Sequence, residues 1–298
     1  MRKILIQLDT DTRPCSFDRV VAIDSGVEEM FCYGDVDPDS VPGLVRGGMF
    51  TRGLEDLKNT AVFVGGSSVS AGEAVFEEVQ KTYFGPVRLS VMMDSNGSNT
   101  TAAAAVLTAR KHLDLSQCQA LVLGGTGPVG LRVVQLLAME GASVRVGSRS
   151  QERADEVCKT VGKTYENAQL TGHDVQSDED LGKALEGCEL LVCAGAAGVQ
   201  LVSKSQLQAA NALQVAIDLN AVPPLGIEGV DVMDKAKSVT DASGSGDLLL
   251  YGAIGVGGLK MKIHKASIRK LFTANDHVLD TVAIYRVGEE LVGSDLKA

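Results

Sequence analysis

The stretch Ala120–Ser150, ALVLGGTGPVGLRVVQLLAMEGASVRVGSRS, decides the fold. An apolar run enters a glycine cluster, an amphipathic segment follows, and a second apolar run, SVRVG, closes the unit as strand, turn, helix and strand. Gly125, Gly127 and Gly130 match G-x-G-x-x-G in that setting. The first glycine permits a tight turn, the second lets backbone approach a pyrophosphate, and the third lets helix and strand pack closely. Thr126, Pro128 and Val129 fill the pattern, and the N-terminus of the helix faces the phosphates. Residues Gly125 through Gly130 are therefore cofactor-binding candidates in a Rossmann-type domain. The plain alternative is a glycine turn in an α/β domain that binds nothing.

The second strand of such a unit ends where an acidic residue grips the ribose hydroxyls of NAD. Here the strand runs into Ser148, Arg149 and Ser150 instead. Hydroxyl donors beside a guanidinium suit a 2′-phosphate, so Ser148 and Arg149 point to NADP. The competing explanation is that Ser150 caps the next helix and Arg149 is simply solvated.

Outward from this unit the same rhythm continues. Upstream, KILIQL, TAVFVGG and VRLSVMM alternate with helical segments such as SFDRVVAIDSG and NTTAAAAVLTARKHL. Downstream, ELLVCAG and LQVAIDLN are strand candidates, and helices are expected around 152–161, 178–185 and 203–210. That order predicts an α/β fold with parallel sheets wrapped by helices. LDLSQCQ reads as a connector, which puts a first domain at 1–112 and a Rossmann domain at 113–271. The run 258–272 and a last helix over 281–291 show no strand between them. Residues 272–298 are expected to return to the first domain.

Composition excludes several classes. The 298 residues hold 45% hydrophobic and 22% charged side chains, which describes a globular chain and not a disordered one. A formal net charge of −10 opposes non-specific binding to nucleic acid or anionic membrane. No apolar run reaches the ~20 residues of a membrane span and the N-terminus has no signal-peptide pattern, so cytoplasm is the expected compartment. The six cysteines form no C-x-x-C and are expected to be reduced, buried thiols. The four histidines have no metal-ligand spacing; ordinary surface or helix positions are expected and no metal is implied. No nucleophile elbow or Cys/His pair offers nucleophilic catalysis.

Four polar loops follow strand candidates: 9–18, 94–101, 194–198 and 218–226. In open α/β sheets such loops line the ligand crevice, although turn chemistry alone also explains them. Ala194, Gly195 and Asp218 are added to the cofactor-binding candidates on this ground.

DSNGSNTTAAA (94–104), GGTGPVG (124–130), DLNAVPPLGIEGVD (218–231) and GAIGVGGLKMKIHKA (252–266), with FTRG (50–53) and AVFVGG (61–66), occur in one order along the chain. In these segments the chain resembles the NADP-dependent methylene-tetrahydromethanopterin dehydrogenases of methylotrophic bacteria. The resemblance implies an N-terminal α/β pterin domain and a Rossmann NADP domain with a cleft between them. It implies oxidation of a methylene group on a reduced pterin one-carbon carrier by direct hydride transfer, in a homo-oligomer commonly described as a trimer. It also implies that Lys260 is the active-site lysine, the plain alternative being a solvent-facing helix lysine, and that Asp18, Asn99, Thr101 and Asn220 are candidates for positioning substrate. The Tyr-x-x-x-Lys pair of related bifunctional folate enzymes is missing, because no tyrosine here is followed four residues later by lysine. Methylene-tetrahydrofolate as carrier, a shikimate-dehydrogenase-like enzyme and a non-catalytic NADP sensor are the competing readings.

Overall fold

The computed structural model describes residues 1–240 and 247–295. In chain order the elements are β1 (Ile4–Asp9), α1 (Ser16–Asp24), β2 (Glu29–Tyr33), α2 (Val41–Met49), β3 (Thr60–Gly65), α3 (Val69–Lys81), β4 (Ser90–Met93) and α4 (Ser98–Ala109). There follow β5 (Gln119–Leu123), α5 (Pro128–Met139), β6 (Ser143–Ser148), α6 (Gln151–Thr164), β7 (Gln169–Asp174), α7 (Asp178–Leu185) and β8 (Leu190–Cys193). The chain closes with α8 (Lys204–Ala209), β9 (Val215–Asp218), β10 (Lys235–Thr240), β11 (Asp247–Tyr251), α9 (Ala253–Lys270), β12 (Val278–Leu279) and α10 (Thr281–Asp295).

Two compact units result: residues 1–100 with 261–298, and residues 101–260. The division falls inside α4 and α9, whereas the sequence placed domain limits just beyond the ends of those helices, at 112/113 and 271/272. Residues 241–246 and 296–298 of the expected domain ranges lie outside the described residues.

The first unit holds a parallel sheet ordered β12-β4-β3-β1-β2. Every residue of β3 and β4 is buried, as parallel strands covered on both faces require. Read from β2, the order is the 2-1-3-4-5 of doubly wound folds, whose switch point lies between β1 and β3. The fifth strand is β12. This corrects the expectation of no strand between the last two helices: two residues, Val278 and Leu279, pair with Val91 and Met92. So short an apolar pair carries no period for a sequence pattern to show.

The second unit holds a sheet ordered β10-β11-β9-β8-β5-β6-β7, with only the β10–β11 pair antiparallel. From β7 to β11 this is the Rossmann order 3-2-1-4-5-6, with its switch point between β5 and β8. Serines start three of its helices: Ser150, Ser177 and Ser203 each accept a hydrogen bond from the backbone N–H three residues on, worth about 1 kcal/mol apiece. The chain thus forms the α/β architecture that the β-α-β-α rhythm predicts. Strands β2, β7, β10 and β11 have no counterpart in the sequence reading; β7 and β10 are edge strands with polar residues in place of an apolar run, whereas EMFCY of β2 and DLLLY of β11 are short apolar runs that it passed over.

Candidate functional site

At the switch point of the second unit, β5 delivers the chain into Gly124–Gly127 and α5 leaves it. The left-handed residue is Gly124, at φ 71°, one position ahead of the motif glycine expected to make the turn. A Cβ there would lie 2.7 Å from the Ala194 carbonyl oxygen, which shows how closely the β8 loop approaches the turn. A Cβ at Gly125 would lie 2.7 Å from Val146 Cγ1, and one at Gly130 only 2.2 Å from the Gly124 carbonyl oxygen. Gly125 and Gly130 therefore serve close packing.

Gly127 differs. Its Cβ position has only the Gly124 oxygen at 3.2 Å and the Ala194 oxygen at 3.9 Å, so the motif's second glycine presents bare backbone to an approaching group. Gly127 also starts α5 without a side-chain cap, and Pro128 supplies no N–H, so the N–H groups of Val129 and Gly130 point outward from the helix start. This donor-rich cradle fits a dinucleotide pyrophosphate. Arg132, which the sequence reading passed over, is buried behind the turn with Nη1 donating to the Pro128 carbonyl at 3.1 Å. A lone arginine in the run LRVVQLL was the available signal.

At the end of β6, Ser148 is buried and its Oγ accepts from the Ser150 N–H at 3.3 Å. Ser150 caps α6 through the Arg153 N–H, so the structural explanation offered for it holds. Arg149 is exposed, its guanidinium has no hydrogen bond or ion pair among the described residues, and its carbonyl accepts from Gln176 Nε2 at 2.8 Å. The end of β6 itself carries no acidic residue, and Asp174 on the neighbouring β7 pairs in register with Ser148.

Beyond β8, Ala194 donates to the Leu123 carbonyl, and a Cβ at Gly195 would meet Leu201 Cδ1 at 2.5 Å. Asp218, at the end of β9, is fully buried, and its carboxylate accepts from the backbone N–H groups of Asn220 at 3.0 Å and Ile227 at 2.8 Å. Burial raises this carboxyl above its ordinary 3.8, because desolvation outweighs those N–H bonds. Its carboxylate is thus committed to the loop 218–227. Asn220 is held in the same loop, accepting from the Val222 N–H at 2.9 Å and donating to the Pro224 carbonyl at 3.3 Å.

In the first unit the candidates gather at the carboxyl ends of β1, β3 and β4. Asp9 organises the loop after β1 by accepting from the Asp11 and Cys15 N–H groups, both at 3.0 Å. That loop carries Asp18 into the first turn of α1, buried, with its Oδ2 3.7 Å from where a Cβ of Gly65 would sit. Asn99 is buried; Nδ2 donates to the Met93 carbonyl at 2.6 Å and Oδ1 accepts from Thr281 Oγ1 at 2.9 Å. Beside it Asp94 takes the Thr100 hydroxyl at 2.6 Å. Thr101 and Lys260, both in the second unit, are half-buried on α4 and α9.

His264 takes a helix position, as expected of the histidines. It is wholly buried on α9, stacks on Phe63 with ring centroids 5.8 Å apart, and brings Nδ1 to 3.9 Å from Asp94 Oδ2. The expectation of buried cysteines holds for part of the set. Cys118, Cys188 and Cys193 are buried thiols, and burial pushes Cys118 and Cys193 up to about 12, while Cys15 is exposed. Among the described residues no group of three His, Cys, Asp or Glu side chains could hold a metal ion, and no helix is long and apolar enough to cross a membrane.

Comparison with known proteins agrees with both units. Residues 16–96 match the family described as methylene-tetrahydromethanopterin dehydrogenase, N-terminal, and residues 124–275 match an NAD(P)H-binding family. The bifunctional protein MdtA of Methylorubrum extorquens is 41% identical over 97% of this chain and 99% of its own. The NAD(P)-dependent methylenetetrahydromethanopterin dehydrogenase of the same organism is 32% identical over 98% of this chain and 99% of its own. Among solved structures, shikimate 5-dehydrogenase from Listeria monocytogenes superposes with a TM-score of 0.52 at 11% identity, covering 97% of this chain and 96% of its own. That last likeness concerns the fold alone. The full-length identities set the family: the chain belongs to the methylenetetrahydromethanopterin dehydrogenases.

Proposed function

We propose that this protein oxidises methylene-tetrahydromethanopterin to methenyl-tetrahydromethanopterin by hydride transfer to NADP. The observation that carries the reading is the identity extending through both units to an enzyme named for that substrate. In the reaction a C–H bond of the methylene carbon breaks with its electron pair, and a flanking nitrogen lone pair forms C=N. No proton has to be removed, so the reaction asks for positioning and electrostatics, with no general base.

NADP, when bound, supplies the acceptor carbon for the hydride. The glycine turn 124–130 would hold the pyrophosphate, and Ala194 and Gly195 would border it. Ser148 and Arg149 would take the 2′-phosphate, the guanidinium supplying a charge-assisted pair. Asp218 is assigned an indirect part, fixing the loop that carries Asn220. In the first unit Asp18 and Asn99 are assigned to the pterin; in the second, Thr101, Asn220 and Lys260, with Lys260 orienting the substrate. A homo-oligomer, the trimer implied by the resemblance, and a cytoplasmic location complete the proposal.

The test is a spectrophotometric assay on the purified protein with the methylene pterin and either NADP or NAD. NADPH should form together with the methenyl product. NADP binding without turnover would mark a sensor and contradict the reading.

A further inference from the structure

The loops after β6 and β7 are tied by two glutamines that reach in opposite directions. Gln151, at the start of α6, accepts from the Asp174 N–H at 2.9 Å and donates to the Gly172 carbonyl at 2.9 Å. Gln176, beyond β7, donates through Nε2 to the Arg149 carbonyl at 2.8 Å and to Asp174 Oδ2 at 3.2 Å. Its own N–H bonds Asp174 Oδ1 at 2.9 Å. Strand pairing brings the two ends level, Ser148 opposite Asp174, with the Val175 N–H donating to the Ser148 carbonyl at 2.9 Å.

Two consequences follow for the adenosine end of the site. The backbone of Arg149 is fixed at its carbonyl, so a side chain with no partner among the described residues starts from a set direction. The carboxylate of Asp174, the acid that strand pairing sets opposite Ser148, is held by the backbone N–H and the side-chain amide of Gln176. Set loose, that carboxylate would repel a phosphate and could accept from ribose hydroxyls. Both effects act in one direction, toward NADP and against NAD.

We propose that Gln176 is a positioning residue for cofactor choice, aiming Arg149 at the 2′-phosphate while restraining Asp174. This rests on the reading of Arg149 as the 2′-phosphate ligand. Gln176 touches no reacting atom; it works through two other residues.

The experiment is calorimetric titration of the purified full-length protein with NADP and with NAD, in wild type, Gln176→Leu, Gln176→Glu, Arg149→Ala and the Arg149→Ala/Gln176→Leu double variant. Loss of the amide donor should weaken NADP about three- to tenfold, the net worth of a hydrogen bond, and Glu, which exchanges the Nε2 donor for an acceptor, should cost at least as much as Leu. NAD affinity should stay unchanged or rise, which also shows that the variants are folded. In the Arg149→Ala background, Gln176→Leu should cost NADP clearly less than it does alone. Equal losses for NADP and NAD, or full additivity with Arg149→Ala, would overturn the role of Gln176. Equal affinity of wild type for the two cofactors would instead overturn the NADP reading itself, and the proposal with it.

Discussion

Gly130 lies so close against Gly124 that a Cβ on Gly130 would be 2.2 Å from the Gly124 carbonyl oxygen and 2.9 Å from Gly125 Cα. Backbone atoms on that side cannot yield as a flexible side chain would. Gly130→Ala should therefore push α5 off the turn, destabilise the protein by about 1–3 kcal/mol and weaken NADP. Gly162→Ala is the control, since nothing lies within 4 Å of its Cβ position in α6. Helix propensity makes that change neutral or stabilising by up to ~1 kcal/mol. Thermal denaturation of both variants checks the contrast; equal effects would contradict it.

Arg149→Ala should weaken NADP about ten- to a hundredfold, the range of a charge-assisted hydrogen bond, and leave NAD nearly unaffected. Dissociation constants for the two cofactors decide the matter. An equal loss for both would mean that Arg149 does not read the phosphate.

Asp218 gives a pH prediction whose sign can be worked out. Its carboxyl is raised above 3.8 in the fold by burial, so the native state holds the proton more tightly than the unfolded chain. The resulting contribution to stability is full below the unfolded value and is lost as pH rises through the folded one. Urea denaturation across that window should show a component falling with pH in wild type and missing in Asp218→Asn. The amide introduced by that substitution would also leave one loop N–H poorly matched, lowering stability by about 1–3 kcal/mol overall. Identical pH slopes would contradict the assignment.

Lys260→Ala should lower kcat/KM about ten- to a hundredfold while the NADP dissociation constant stays close to wild type, as expected for a group that orients the pterin. Wild-type turnover in the purified variant would remove Lys260 from the site.

How far the sequence could be read depended on where each constraint lies. The glycine turn was legible because G-x-G-x-x-G states a local steric rule. The left-handed residue, Gly124, sits outside that pattern and shows only in the backbone. Ser150 satisfied its bland explanation as a helix cap, and Arg149 is exposed, as a solvated side chain and a ligand group alike would be. The hydrogen bond from Thr281 to Asn99 spans 182 positions and leaves no mark in a local window. His264 looked like one more helical histidine because the Phe63 ring it stacks on comes from a strand far upstream in the chain. Strands β7 and β10 were hidden for a different reason: edge strands tolerate polar residues, so QLTGHD and KAKSVT carry no apolar run.

The central claim concerns the carrier. The arylamine nitrogen of tetrahydromethanopterin lacks the electron-withdrawing para carbonyl of folate, so its lone pair expels the hydride more readily. The loops 9–18 and 94–101 are the elements assigned to grip that pterin. The most direct test is kcat/KM of the purified protein with NADP for methylene-tetrahydromethanopterin and for methylene-tetrahydrofolate, since that ratio measures discrimination. A higher value for the methanopterin carrier is predicted; an equal or higher value for the folate would contradict the account.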